Sequence, residues 1–520
     1  MKNIHILQNP LAAFLGAAVF FSTLTACDPS NPKTLDEENG SKSAIETAIL
    51  EDRESFYYID FENYPQGDNT LPIGVFDSGT GGLTILNSLL DFDQHDNVSG
   101  NKGADQQPDF GKEKFIYLAD QANMPYGNYY AEDKSDLLIE HIIKDAQFLL
   151  SNKYYKEGEN KPRKDKSAIK AMVIACNTAT AYGKETLESF MAKTGIPLKV
   201  IGVIDAGAKG ALSHFDKTEA GSIAVFATVG TIASKGYEKT ILEKANEMGY
   251  SGNIQVFNQG GHGIAEAVDE EPDYIQRELT APRDDYRGPS LDHPDFSIDK
   301  TLMDVYNFDF DHNKMLCDAD DTQDCQVLQI NSSENYVRYH LVSMMEKIRQ
   351  SKDPKPLKVV MLGCTHYPYL TQEIREVLDE LYDYKRDGKY VYRSFMAEDI
   401  ALVDPAINVA EELYAYLKEQ NLFNPAGDMR NSEFYISVPN QHNDNVKVDE
   451  KGRFPYDYKY GRNAGEIQEY VQMVPFSAQN IPSETLERLD ESVPTTYKII
   501  KNFNQNSEKT AGFSSREIIK

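Results

Sequence analysis

Short continuous apolar runs recur along the chain, and each is followed by a polar or glycine-rich turn. Several of these turns lead into a stretch with helical periodicity, as at 83–90. Apolar strands that feed turns and then helices are typical of a parallel sheet covered on both faces. The pattern predicts strands at 71–76, 115–118, 171–175, 198–203, 222–226, 254–257 and 358–362. We therefore expect an α/β fold in which ligands bind at the carboxyl ends of the strands.

The predicted strands fall into two halves with the same plan. Each half opens with a strand that ends in a hydroxyl-bearing turn, at Asp77 and Ser78 in the first half and at Thr228 in the second. Each half later supplies a strand that ends in a cysteine, Cys176 or Cys364. Two such halves facing each other would bring both thiols into one cleft. The expected architecture is two pseudo-symmetric, doubly wound parallel-sheet domains with the active site in the cleft between them.

Segments outside this plan divide the chain further. We expect a signal segment at 1–26, a tether at 27–70, the two α/β halves within 71–420 and a C-terminal extension at 421–520. A long acidic and aromatic insertion occupies 270–330, a length typical of a functional loop or a small subdomain. The extension has a strand-like piece at 434–438 and a helical piece near 467–473, and its pattern indicates no role.

The first residues have the pattern of an export signal. An apolar run at 11–21 follows Lys2 and is too short for a spanning helix. The sequence LTAC at 24–27 resembles a bacterial lipobox, in which Cys27 would be lipidated; the alternative is an ordinary cleaved signal with a chance cysteine. The polar, acidic tether would hold the folded part away from the bilayer. We expect a membrane-anchored lipoprotein of the cell envelope, either periplasmic or surface-exposed.

Composition and charge narrow the function classes. The 520 residues include 40% hydrophobic ones, enough for more than one core. The formal net charge of −29 disfavours a nucleic-acid partner. Cys317 and Cys325 bracket a polar loop, and an exported chain permits a disulfide between them, the alternative being two free thiols. Acidic stretches at 309–313 and 318–324 lack a complete calcium-loop pattern, so we expect solvated loops and no metal site.

Four motifs, in this order, resemble the glutamate racemase family within the cofactor-independent Asp/Glu racemase superfamily. They are IGVFDSGTGGL at 73–83, PYG at 125–127, ACNTATA at 175–181 and GCTHYP at 363–368. The resemblance covers 72–417, with the insertion placed inside it. It implies the two-domain α/β fold and an amino-acid isomerase that needs no cofactor.

The resemblance gives the two thiols complementary roles. Racemisation needs a base that removes the α proton from one face and an acid that returns a proton to the other. Cysteine can serve as either, because neighbours can shift its pKa from the ordinary value of about 8.5. In the family, the position of Cys176 acts on the D-enantiomer and that of Cys364 on the L-enantiomer, while Asp77 and His366 assist. Glu266 falls where the family has a further acidic residue, although the sequence QGGHGIA before it departs from the family pattern.

Both cysteines precede a predicted helix start. Asn177 and Thr178 can cap one helix, and Pro368 suits the first position of another. The positive end of each helix dipole would favour the thiolate form.

Polar side chains near the thiols are candidates for binding the amino and carboxylate groups of a substrate. They are Ser78, Asn177, Thr178 and Thr365 beside the catalytic positions and, by the resemblance, Pro125, Tyr126, Gly127 and Thr231. For each hydroxyl, a purely structural role as a helix cap is the alternative.

The predicted function is racemisation of an acidic amino acid, with glutamate favoured over aspartate. Family members typically act in the cytoplasm, whereas an exported chain would act in the envelope, for example on amino acids released from cell-wall fragments, with its thiols open to oxidation. One alternative is a catalytically silent lipoprotein that binds an amino acid or a wall peptide in the same cleft. A one-thiol decarboxylase of the superfamily is disfavoured by the second cysteine. The family is also compatible with a homodimer.

Overall fold

A computed structural model describes residues 42–268, 270–319, 321 and 324–520. The predicted signal segment, Cys27 and the tether up to residue 41 lie outside the described residues. The strands are β1 (Ile73–Asp77), β2 (Phe115–Ala119), β3 (Ala171–Ile174), β4 (Lys199–Gly202), β5 (Gly221–Ala227), β6 (Ile254–Gly260), β7 (Met315–Cys317), β8 (Leu328–Ile330), β9 (Leu357–Gly363), β10 (Lys385–Arg386), β11 (Lys389–Tyr390), β12 (Met396–Val403), β13 (Glu433–Pro439) and β14 (Val471–Pro475). The α-helices are α1 (Ala44–Leu50), α2 (Leu83–Leu90), α3 (Gly127–Ala131), α4 (Ser135–Leu150), α5 (Asn177–Thr194), α6 (Val203–Leu212), α7 (Val229–Ala233), α8 (Gly236–Glu247), α9 (Ile264–Val268), α10 (Met303–Tyr306), α11 (Ser333–Gln350), α12 (Thr371–Asp383), α13 (Pro405–Glu419), α14 (Tyr456–Gly461), α15 (Ser483–Ser492) and α16 (Pro494–Asn506).

The first sheet has six strands in the order β14-β13-β2-β1-β3-β4. All neighbouring pairs are parallel except β13 with β14. Ile73 at the start of β1 lies opposite Phe115 of β2 and Ala171 of β3, so the three strands end at nearly the same level. These three strands are buried at every position because both faces of the sheet are covered, which explains their continuous apolar runs.

The second sheet is parallel throughout, in the order β12-β9-β5-β6. Two sheets, one mainly and one wholly parallel, with flanking helices confirm the predicted α/β class. Strand β12 is absent from the predicted set because it is an edge strand with several exposed positions, and it therefore lacks a continuous apolar run.

One hydrophobic core joins the two halves. It contains Val75 of the first sheet and Val225 of the second, together with Leu86 of α2, Ala208 of α6 and Leu413 of α13, all fully buried. The shared core fixes the two sheets relative to each other, because close-packed interiors resist displacement.

The segment from 42 to 70 is folded onto the first half, so the prediction of a tether is wrong for these residues. Helix α1 begins with a capping box between Ser43 and Glu46, whose side chain also pairs with Lys193 at 2.8 Å. Ile45 and Ile49 are buried in the core that includes α4. The polar composition of this segment gives no indication of these few apolar contacts.

The C-terminal extension completes the first sheet. Strand β13 pairs in parallel with β2, and β14 pairs with β13 in the antiparallel direction. The helical piece predicted near 467–473 is wrong, because the chain from Val471 onwards forms β14. Pairing with a distant strand overrides the local preference here.

The insertion forms a small folded unit on the second half. It contains α10 and the β7–β8 pair, and its Ile275, Ile298 and Val305 pack in the core that includes α11. Cys317 and Cys325 form a disulfide with a Cα–Cα distance of 5.6 Å. Within the described ranges, no helix combines the length and apolarity that crossing a bilayer requires.

Candidate active site

Asp77 is the last residue of β1 and lies at the carboxyl edge of the first sheet. Its Oδ2 accepts hydrogen bonds from the backbone N–H groups of Gly79 (3.2 Å) and Gly82 (2.8 Å). A Cβ at Gly82 would lie 2.5 Å from the Asp77 Cβ, so this turn requires glycine. Burial raises the pKa of Asp77, and the two N–H groups and His366 offset this only in part.

Cys176 lies two residues beyond β3 and is only 6% exposed. It is itself the N-cap of α5, because its Sγ accepts a hydrogen bond from the Ala179 N–H (3.4 Å). The expectation that Asn177 and Thr178 cap this helix is therefore wrong: they form its first turn. The Cys176 thiol donates to Ser78 Oγ at 3.7 Å.

The environment of Cys176 favours the neutral thiol over the thiolate. Burial raises the pKa of Cys176, and the nearby Asp77 carboxylate raises it further. The hydrogen bonds with Ala179 and Ser78 lower the pKa of Cys176 but do not compensate. The positive end of α5 alone therefore does not produce a thiolate, and Cys176 is suited to donate a proton.

Cys364 follows β9 directly and is likewise 6% exposed. Its Sγ lies 3.6 Å from Nδ1 of His366, within reach of a proton exchange between the two groups. The predicted helix start at Pro368 is a four-residue 3₁₀ turn, Tyr367–Leu370, and α12 begins only at Thr371. The imidazole, rather than a long helix, is thus the principal neighbour of this thiol.

Both thiols line the same cavity, which has a volume of about 1470 Å³. The other catalytic candidates, Asp77, His366 and Glu266, line it as well. So do the substrate-binding candidates of the first half, which are Ser78, Pro125, Tyr126, Gly127, Asn177 and Thr178, and those of the second half, Thr231 and Thr365. The structure therefore brings together all the residues to which the sequence assigns a catalytic or substrate-binding role.

The two halves touch across this cavity through small residues and hydroxyl groups. Thr178 Oγ1 lies 3.2 Å from Thr231 Oγ1, which also accepts from the hydroxyl of Thr228 (3.0 Å). A Cβ on Gly230 would lie 2.8 Å from the Gly127 Cα, so the two backbones are already in close contact. Such contacts fix the spacing of the walls that carry the two thiols.

A buried triad, which the sequence does not indicate, positions the Pro125–Gly127 loop. The Tyr126 hydroxyl lies 2.6 Å from Asp120 Oδ2 and 2.7 Å from Asp145 Oδ2. The hydroxyl has one proton and can donate to only one carboxylate, so the other carboxyl must carry a proton of its own. Burial and the charge of Asp120 raise the pKa of Asp145 strongly, which identifies Asp145 as the protonated member.

Two further residues near the cavity differ in what they contact. Glu266 lies on α9, in the wall of the cavity; burial raises the pKa of Tyr274 and Tyr367, and the charge of Glu266 contributes to both shifts. His262 bonds through Nε2 to the carbonyl oxygen of Arg287 (2.7 Å) and stacks on Phe296 at 4.5 Å. Burial lowers the pKa of His262. The histidine therefore anchors the insertion as a neutral ring.

The outer part of the cavity has walls outside the motifs. The insertion contributes Glu271, Asp273, Tyr274 and Arg287, and the extension contributes Lys451, Arg453, Tyr456 and Lys459. No local sequence signal places these residues at the site, because they reach it through the packing of β13 and β14 and of the inserted unit.

Comparison with known proteins supports the assignment made from the motifs. No protein-family profile matches the chain. The chain is 26% identical over 352 residues to a glutamate racemase of Lactobacillus johnsonii, covering 68% of this chain and 83% of that protein. It is 25% identical over 375 residues to a glutamate racemase of Levilactobacillus brevis, covering 72% and 89%. A glutamate racemase of Enterococcus faecalis is 36% identical over 177 residues, covering 34% and 49%.

Among solved structures, a glutamate racemase isoform of Bacillus anthracis aligns with 21% identity and a TM-score of 0.40, covering 70% of this chain and 87% of that one. A glutamate racemase of Francisella tularensis, solved in complex with D-glutamate, aligns with 19% identity and a TM-score of 0.39, covering 76% and 95%. The first two relatives are matched over 83% and 89% of their length. The chain is therefore similar in sequence to glutamate racemases across most of their length.

Proposed function

We propose that the protein racemises an acidic amino acid without a cofactor, with glutamate as the favoured substrate and aspartate as the alternative. The observation that carries the proposal is that Cys176 and Cys364, which follow strands of two different sheets, line one cavity. Each thiol also has a polar neighbour that can exchange protons or orient it, Ser78 or His366. Two thiols on separate walls match a reaction that needs an acid and a base on opposite faces of one carbon.

The proposed reaction conserves protons between the thiols. The α C–H bond of the L-enantiomer breaks, and its proton goes to the thiolate of Cys364, while the electron pair stays at the α carbon and spreads into the carboxylate. The S–H bond of Cys176 then breaks, and its proton forms the new C–H bond on the opposite face. The products are the D-enantiomer, a Cys364 thiol and a Cys176 thiolate, and the reverse reaction restores the first state.

The charges around the two thiols support the L-to-D reaction as the first turnover. The raised pKa of Cys176 keeps it protonated, as an acid for the L-to-D reaction must be. The nearby Asp77 disfavours the Cys176 thiolate, and His366 adjoins Cys364. We assign these two residues the return of protons between turnovers, in agreement with the roles that the family resemblance implies.

We also propose that the protein is exported and anchored through a lipidated Cys27, so that it acts in the cell envelope. Support comes from the apolar run at 11–21 and the lipobox-like LTAC at 24–27. Substrates there would be acidic amino acids released outside the cytoplasm. Labelling of the expressed protein with a fatty-acid probe, compared with a Cys27→Ala variant, tests this proposal.

The test of the activity is enantiomer exchange. Purified protein is incubated with L- or D-glutamate, and then with aspartate, while circular dichroism follows the loss of optical activity. We expect exchange with glutamate, and we expect it to persist in the presence of a chelator. Calorimetric binding of glutamate without exchange of either amino acid would instead identify the silent, ligand-binding lipoprotein.

A further inference from the structure

The cavity is larger than a free acidic amino acid requires. Its volume of about 1470 Å³ exceeds the range of about 300–1,000 Å³ that encloses drug-sized ligands. The thiols and their polar neighbours line one part, and the C-terminal extension lines another. The additional space is therefore lined by segments outside the family motifs, the extension and the insertion.

The extension brings three cations to this space, Lys451, Arg453 and Lys459, which we call the basic wall. The chain as a whole has a net charge of −29, which repels anionic ligands at long range. The cavity lining also includes carboxylates, among them Glu157, Glu271 and Asp273, so any attraction for an anion is local to the basic wall. Arg453 is partly compensated by Asp449, whose Oδ2 lies 3.3 Å from its Nε.

Lys459 is the most enclosed cation of the basic wall. Its ammonium group bonds to a neutral acceptor, the carbonyl oxygen of Met124, at the start of the loop that carries Tyr126. Among the described residues, no carboxylate lies within ion-pair distance of this ammonium group. An ammonium group has three N–H donors, so Lys459 keeps the capacity to bind a further acceptor.

The surroundings of Lys459 disfavour its positive charge. Burial lowers the pKa of Lys459 to about 8 and the Arg462 guanidinium lowers it as well, while the carboxylates of Asp120 and Glu271 offset these effects only in part. A carboxylate beside this lysine would counter both effects and would be bound by a charge-assisted hydrogen bond.

We propose that the basic wall binds the distal carboxylate of a substituent on the substrate, and that the cavity takes a short peptide joined through the side-chain carboxyl of an acidic residue. This inference rests on the proposed function. Linkage through the side chain leaves the α-amino and α-carboxylate groups free, so the chemistry between Cys176 and Cys364 is the same as for the free amino acid. The substituent extends from the thiols towards Lys459.

The ligands for the test differ only in the distal charge. γ-Glutamylglycine carries a distal carboxylate, and γ-glutamylglycinamide replaces it by a neutral amide. Calorimetry on the wild-type protein should show roughly tenfold tighter binding of the acid than of the amide. The same preference should be lost in Lys459→Met and retained in Lys459→Arg. It should also be retained in Lys447→Met, which changes an exposed lysine of the extension outside the cavity.

The outcomes separate this inference from the proposed function. Equal binding of the acid and the amide by the wild type, or no binding of either, overturns the inference whatever the activity with glutamate. Retention of the preference in Lys459→Met overturns the role of Lys459. The wild-type comparison keeps the test decisive if a variant fails to fold. Exchange of the α proton of γ-glutamylglycine in D₂O supports its identity as a substrate. Exchange of the α proton of glutamate but not of γ-glutamylglycine overturns that identity.

Discussion

Replacement of Asp77 by asparagine should abolish most activity while stabilising the fold. The asparagine Oδ1 can still accept from Gly79 and Gly82, which lie 3.2 and 2.8 Å from the carboxylate. Each bond weakens by about 1–1.5 kcal/mol when its acceptor becomes neutral, a loss of about 2–3 kcal/mol for the two. Burying the carboxylate costs several kcal/mol, which the amide does not incur. The balance favours the variant by about 1 kcal/mol at neutral pH.

The sign of the pH dependence follows from the raised pKa of Asp77. A carboxyl with a raised pKa in the folded state stabilises the fold at low pH, and this contribution is lost as the pH rises above the unfolded value of about 3.9. Asparagine does not titrate. The Tm of Asp77→Asn minus that of the wild type should therefore increase from pH 4 to pH 7, reaching roughly 1–2 °C.

The activity of Asp77→Asn should fall although its Tm rises. Without a group that can exchange protons beside Cys176, the kcat for glutamate should fall by about 10²–10⁴-fold. The matched control is Asp404→Asn, in which a half-buried aspartate with a raised pKa caps α13 through the Ala406 N–H at 2.9 Å, away from the cavity. The control should show a similar pH-dependent gain in Tm with wild-type kcat. Wild-type kcat in Asp77→Asn, or a lower Tm throughout, would refute the reasoning.

Four other substitutions test three separate parts of the site. Cys176→Ser and Cys364→Ser should each lower racemisation by at least about 10²-fold, because serine is a far weaker acid and base, with the Tm close to that of the wild type. Gly230→Ala should cost about 1–3 kcal/mol of stability in denaturant unfolding and raise KM, because its Cβ would lie 2.8 Å from the Gly127 backbone. Asp145→Asn should keep both activity and Tm near wild type at neutral pH, because the amide reproduces the protonated carboxyl of the triad.

Controls and contrary results differ for these variants. Gly461→Ala places a Cβ where no atom lies within 4 Å, and it should leave stability and KM unchanged. A stable Gly230→Ala with unchanged KM would show that the two backbones can separate freely. A large loss of Tm in Asp145→Asn would mean that Asp145 is ionised and that Asp120 holds the proton.

Much of this site was accessible from the sequence because its chemistry is attached to strand ends. Cys176 and Cys364 follow buried strands whose apolar runs are unmistakable, and parallel strands place their ends at one edge of a sheet. The same logic predicted Asp77, and its turn is preserved by the requirement for glycine at Gly82.

The features that the sequence did not indicate depend on contacts between distant segments. Strand β12 at the sheet edge is half exposed, and the packing of α1 relies on two isoleucines in a polar stretch. Tyr126 meets Asp145 only through the packing of α4, and Lys459 reaches the cavity only because the extension joins the first sheet. Local periodicity carries no information about such pairings.

The most direct test of two thiols acting from opposite faces is the fate of the α proton in D₂O. L-Glutamate is converted to low extent, both enantiomers are separated, and their α-deuterium content is measured by mass spectrometry. We predict that the D-glutamate formed is fully deuterated and that the recovered L-glutamate contains no deuterium, and the mirror result from D-glutamate. Retention of the original proton in the product, or deuterium in both enantiomers at low conversion, would show that a single group serves both faces and would contradict the account.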